Sequence, residues 1–228
     1  MSESVKQRVL DATGFALPRS YLRLLALGRL KFGENREHWK RNWRTILLTE
    51  PPTLICSPWH LRVEWITVDE MLAWKAPEYW KPNRFIPFAG NGYGDLWCWD
   101  PGREEGGKCP VVLCRHDENE TEIFAGSFEK FLYRVLVESF ADLSSDDLAE
   151  LSADESQVRG YLALNVTSVA EFLPAEHVAT LMNILKKEFR TGSEEDHLFL
   201  IDEAEKNQIL ERDVKIRDIG TTFEHMLR

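Results

Sequence analysis

Phe85-Ile-Pro-Phe-Ala-Gly-Asn-Gly-Tyr-Gly-Asp-Leu-Trp-Cys-Trp-Asp100 is the stretch on which the fold turns. Apolar runs at 84–89 and 95–99 flank Gly90-Asn-Gly92-Tyr-Gly94. Three glycines so close together could cradle a phosphate, but a phosphate loop follows a strand and opens a helix whose amides face the anion. Here an alternating strand follows, Asp-Leu-Trp-Cys-Trp. The reading is therefore a β-hairpin whose glycines supply positive φ angles. Outward from it, strands are predicted at 53–57, 61–66, 110–115 and 121–125, punctuated by Gly, Asn, Asp and Pro.

Helical patterns lie on both sides of the strands. Residues 3–13 are amphipathic, with Val5 and Val9 on one face. Pro18 suits a first helical position, and Tyr21, Leu24 and Leu25 follow at i, i+3, i+4. A third helix is predicted over 34–48, stopped by Pro51 and Pro52. Thr67-Val-Asp-Glu70 is a capping box with Ile66 and Met71 placed as a hydrophobic staple, so a helix is expected at 68–75. Ser127 opens another, with Phe128, Phe131, Leu132, Val135 and Leu136 on its apolar face. Two more capping boxes read at Ser152–Glu155 and Ser168–Glu171. Beyond Pro174, Val178, Leu181, Met182 and Leu185 form an apolar stripe, while 197–201 fits helix or strand equally. Helices, a run of antiparallel strands and further helices make an α+β layer. The expectation is an antiparallel sheet of about five to six strands with packed helices, at 1–140, plus an acidic, mainly helical C-terminal extension at 141–228.

Composition narrows the class. The chain has 228 residues, enough for a sizeable core, and its 43% hydrophobic content excludes a mostly disordered protein. No window of about 18 apolar residues exists for a membrane span, and the first residues lack the apolar core of a signal peptide. The expected location is cytoplasmic. Cys56, Cys98, Cys109 and Cys114 contain no Cys-x-x-Cys pair and read as reduced packing residues. Charge is unevenly placed. Residues 1–138 carry 19 basic and 19 acidic side chains, and 139–228 carry 9 and 19, so the net charge of −10 sits in the tail.

No catalytic constellation emerges. The six histidines form no ligand pair at helical spacing, and no Gly-x-Ser-x-Gly elbow is present. Asp95 and Asp100 bracket a strand and, with His116, are the residues an enzyme would use, but strand-end aspartates more commonly cap turn amides. Trp39 and Trp43 interleave with Lys40, Arg41 and Arg44, a pattern that can stack on bases. Their i, i+4 spacing and the chain's negative charge favour packing over nucleic-acid binding. Neither catalytic residues, metal ligands nor a cofactor are expected.

The quoted hairpin resembles the central signature of the SUKH superfamily, the Smi/Knr-type domain: an apolar strand with Pro, a Gly-containing turn, Gly-Asp, and a second apolar strand ending near Asp. Leu17-Pro-Arg-Ser-Tyr21 is similar to the family's opening helix, Cys109–His116 to its next strand and Ala125-Gly-Ser-Phe128 to the start of its closing helix. The likeness covers roughly 14–138. It implies a non-enzymatic binding domain. In bacteria such domains are typically immunity proteins that neutralise a cognate toxin or effector by direct binding; related fungal domains are regulatory scaffolds.

Two surfaces are candidates for a protein partner. One is the rim of the sheet, where Trp59, Trp80, Asn91 and Tyr93 fall in or beside turns, because loops on a rigid scaffold carry function and Trp and Tyr anchor interfaces. The other is the acidic tail at Asp146, Asp147, Glu150, Asp154 and Glu155, suited to a basic partner such as a nuclease.

Overall fold

The computed structural model describes residues 2–31, 36–58, 61–80, 85–144, 154–192, 197–215 and 222–226. The elements run α1 (Ser2–Thr13), α2 (Arg19–Ala26), α3 (Arg36–Thr49), β1 (Glu64–Trp65), α4 (Val68–Ala73), β2 (Ile86–Gly90), β3 (Leu96–Trp99), β4 (Val111–Cys114), β5 (Thr121–Ala125) and α5 (Phe128–Ala141). They continue as β6 (Leu143–Ser144), α6 (Glu155–Val169), α7 (Ala175–Ile184), β7 (Arg190–Thr191), β8 (His197–Phe199), α8 (Glu203–Asp213) and β9 (Thr222–Phe223). This is the expected α+β architecture. By compactness the chain forms two units, one from 1–31, 63–131 and 216–228, the other from 32–62 and 132–215.

The first unit holds a six-stranded sheet in the order β1-β2-β3-β4-β5-β9, antiparallel throughout. Both of its faces are covered, which is why β4 is buried at every position. Side chains alternate across the pleat. Trp97 and Trp99 therefore point one way, and Leu96 and Cys98 the other. On the first face, the Trp97 ring lies 4.7 Å from Phe124 and 5.1 Å from Phe131. Trp99 lies 4.5 Å from Phe88 and 4.9 Å from Tyr21, which α2 contributes. Each such side chain stabilises the fold by roughly 1.5–3 kcal/mol through burial. On the second face, Cys98, Val112 and Cys114 pack with Trp80 and Phe85, and Trp74, Leu96, Ile123, Phe223 and Met226 complete the cluster.

Helix α4 starts where its sequence says it should. Thr67 Oγ1 accepts from the Glu70 N–H at 3.1 Å, and Glu70 Oε2 accepts from the Thr67 N–H at 2.7 Å. Replacing Thr67 by alanine removes the hydroxyl that accepts from the Glu70 N–H and donates to Glu70 Oε2 at 2.8 Å, and leaves the backbone half of the box in place. A loss of about 1 kcal/mol is expected, read as a lower urea midpoint at unchanged slope.

The second unit contains a three-stranded sheet, β6-β8-β7, so 197–199 resolves as strand. Three local expectations are corrected here. Residues 53–57 form turns, not a strand: Leu54 is held at φ +66°, its N–H goes to the buried Asn165 side chain at 3.0 Å, and its carbonyl accepts from the Ser57 N–H at 3.1 Å. Ser168 is no helix cap; it lies inside α6, where its hydroxyl donates back to the Asn165 carbonyl at 2.8 Å. The cap of α6 is Asp154, with Gln157 as its reciprocal partner, rather than Ser152, which lies outside the described residues.

Candidate partner-binding surface

The β2–β3 hairpin is built on one side chain. Asn91 Oδ1 accepts from the N–H groups of Tyr93 (2.9 Å) and Asp95 (3.1 Å), while Asn91 Nδ2 donates to Asp95 Oδ2 (2.8 Å). Asn91 and Asp95 are both buried. The turn they enforce needs glycine at two places. Gly92 has φ +80° and a Cβ there would meet Glu64 Oε1 at 2.8 Å; Gly94 has φ +108° and a Cβ would press on the His116 ring at 3.0 Å. Tyr93 between them is carried outward and is 57% exposed.

Register then brings in a residue from the next connection. Leu96 pairs with Cys114 across β3 and β4, so position 95 comes level with 115 and within reach of the next residue, His116. Asp95 Oδ1 accepts from the His116 backbone N–H at 3.0 Å and lies 2.8 Å from its Nδ1. Burial pushes the Asp95 carboxyl up, but the hydrogen bonds from His116 and Asn91 outweigh it and hold it below its ordinary value. The same bond raises the His116 imidazole above its ordinary value, since the carboxylate favours the charged ring.

One ligand atom each from Asp95, His116 and Asp117 lies within 4.8 Å of the others, the geometry a divalent cation could use. The hydrogen bonds on Asp95 supply a complete structural reason for the grouping, and a cation would have to displace the His116 bond to enter. Asp100 does not join it. β3 separates the two aspartates by roughly 17 Å at strand rise. Asp100 accepts from the Gly102 N–H at 3.1 Å and pairs with Arg103 at 3.2 Å, as a turn-capping residue does. The cysteines are free and buried. Burial pushes the Cys109 thiol up to about 12 and Cys98 well above its ordinary value, so neither supplies a thiolate.

Of the rim residues, Tyr93 is on the surface, whereas Trp80 and Asn91 are buried. Trp59 lies outside the described residues. Tyr79, 53% exposed, is an aromatic that the sequence reading passed over. Its burial could not be told from that of its neighbour Trp80 by composition alone. In the tail, Asp154 and Glu155 are exposed at the start of α6, and Asp146, Asp147 and Glu150 lie outside the described residues. Trp39 and Trp43 are half-buried on α3, with the Arg44 guanidinium 5.0 Å above the Trp43 ring.

No helix among the described residues is long and apolar enough to cross a membrane. Residues 2–134 match the family model of the SMI1 / KNR4 family (SUKH-1), a span that takes in α1 to α4, β1 to β5 and the first half of α5. No curated protein and no solved structure matches the chain.

Proposed function

Because the chain belongs to the SMI1 / KNR4 family (SUKH-1), we propose that it acts without catalysis, by binding a cognate bacterial toxin or effector and neutralising it through direct contact. The observation that carries this reading is the family match over 2–134, more than half of the chain. The geometry supports it: the carboxylates an enzyme would draw on, Asp95 and Asp100, are spent on turns at opposite ends of β3. We place a division near residue 140 by the end of the family span at 134, with 141–228 as an acidic extension whose residues 222–223 return to the sheet as β9. The contact residues of this reading are Tyr93 at the hairpin apex and Asp146, Asp147, Glu150, Asp154 and Glu155 in the tail. A basic active site is the complement such a tail fits.

The test is to capture the partner from cells on the tagged chain and assay its activity with and without stoichiometric chain. Loss of that activity is expected. A stable complex that leaves it intact would overturn neutralisation and turn attention to a regulatory role. Neutralising the five acidic residues together should slow association roughly ten- to a thousand-fold at low salt. An unchanged on-rate would assign the contact to the Tyr93 hairpin instead.

A further inference from the structure

The matched residues end at 134, and the sheet they contain ends at β5. An outer strand presents unpaired backbone groups, and proteins cover such edges or use them. Here the cover comes from far along the chain. Thr121 pairs with Phe223 and Glu122 with Thr222, and Met226 bridges to Trp80. The ladder is two residue pairs long, against four between β3 and β4.

The side chains of this segment sit in formed places. The Phe223 ring lies 6.2 Å from Phe85 with the Arg103 guanidinium 4.1 Å above it. His225 is 2% exposed; its Nδ1 lies 2.9 Å from Thr121 Oγ1 and its ring 4.4 Å from Trp80. The Met226 N–H donates to the Asn119 side chain. Phe223 and Met226 nonetheless remain half-buried, and the buried Trp80 indole N–H has no acceptor among the described residues.

We propose that the outer edge of β5, together with the Trp80–Phe85 cluster beside it, is a strand-docking site that residues 222–226 keep closed. The occupant it fits is an extended segment of a partner protein. That segment pairs antiparallel with β5, carries an aromatic side chain in the place of Phe223, and offers an acceptor to the Trp80 indole. Strand addition of this kind takes affinity from main-chain hydrogen bonds and specificity from alternate side-chain pockets. The proposal rests on the sheet alone and does not require the partner to be a toxin.

The probe is a labelled synthetic peptide of residues 220–228, offered to the full chain in three forms. Phe223→Ala/Met226→Ala loosens the native segment; Glu122→Cys/Thr222→Cys, oxidised, locks it in place across a facing pair. Binding to the loosened chain at least tenfold tighter than to the locked one is expected, with loss of binding when the peptide itself carries Phe223→Ala. Equal binding to loosened and locked chains, or none to either, overturns the proposal. If the loosened chain fails to fold, the wild-type chain replaces it: binding abolished by locking supports the site, and its absence from wild type overturns it. A loosened chain that forms a concentration-dependent dimer and excludes the peptide assigns the edge to a second copy and also overturns it.

Discussion

Trp97→Ala is expected to destabilise the protein by about 3–5 kcal/mol, the range for truncating a fully buried Trp or Phe. The Trp97 side chain is completely buried, with the rings of Phe124 and Phe131 4.7 and 5.1 Å away. Native proteins are stable by only about 5–15 kcal/mol, so the variant should lose a large share of its margin. Chemical denaturation with a fluorescence and a far-UV readout measures it. A midpoint within experimental error of wild type would mean that the packing around Trp97 is not as described.

Asp95→Ala is the second large effect, and it carries a pH signature. The carboxylate accepts from Asn91 Nδ2 and the His116 N–H and pairs with His116 Nδ1. Removing it strands the buried Asn91 amide, at about 1–3 kcal/mol, while the exposed His116 turns to water, so a loss of about 2 kcal/mol is expected. The folded-state pKa of Asp95 is depressed, so its contribution is present above 3.8 and fades as pH falls through the lowered value. That of His116 is raised, so its contribution is complete below 6.5 and fades as pH climbs through the raised value. The stability difference between wild type and Asp95→Ala should therefore peak between about pH 4 and 6.5. His116→Gln should flatten the upper limb alone. A difference that is constant from pH 4 to 9 would dissolve the pairing.

The Gly-rich hairpin was legible because everything that makes it lies within the 16 residues 85–100: apolar strands, glycines at the positive φ positions, and an Asn to bind the turn amides. The Thr67 cap was legible for the same reason. The Asp95–His116 pair was not, since it depends on the register between β3 and β4 and on the turn that follows β4. Trp80 and Asn91 illustrate a different limit. Both sit next to turns, as read, but a turn residue can face inward, and only the covering segment reveals that Trp80 does. Strand β9 carried no local signal at all, being two residues long.

That last strand has a kinetic consequence. Thr121 and Phe223 are 102 positions apart, the difference of their numbers, yet they are neighbours in the sheet. Bringing ends so distant together costs an unstructured chain about 4 kcal/mol of closure entropy, growing only slowly with length, and a two-pair ladder repays little of it. The hairpins of β2 to β5 involve short loops and can zip early. Docking of β9 is expected to close the folding reaction, after its receiving surface exists. A late-docking β9 would leave the β5 edge bare in a newly made chain, the condition under which a sheet edge is most open to capture by another strand.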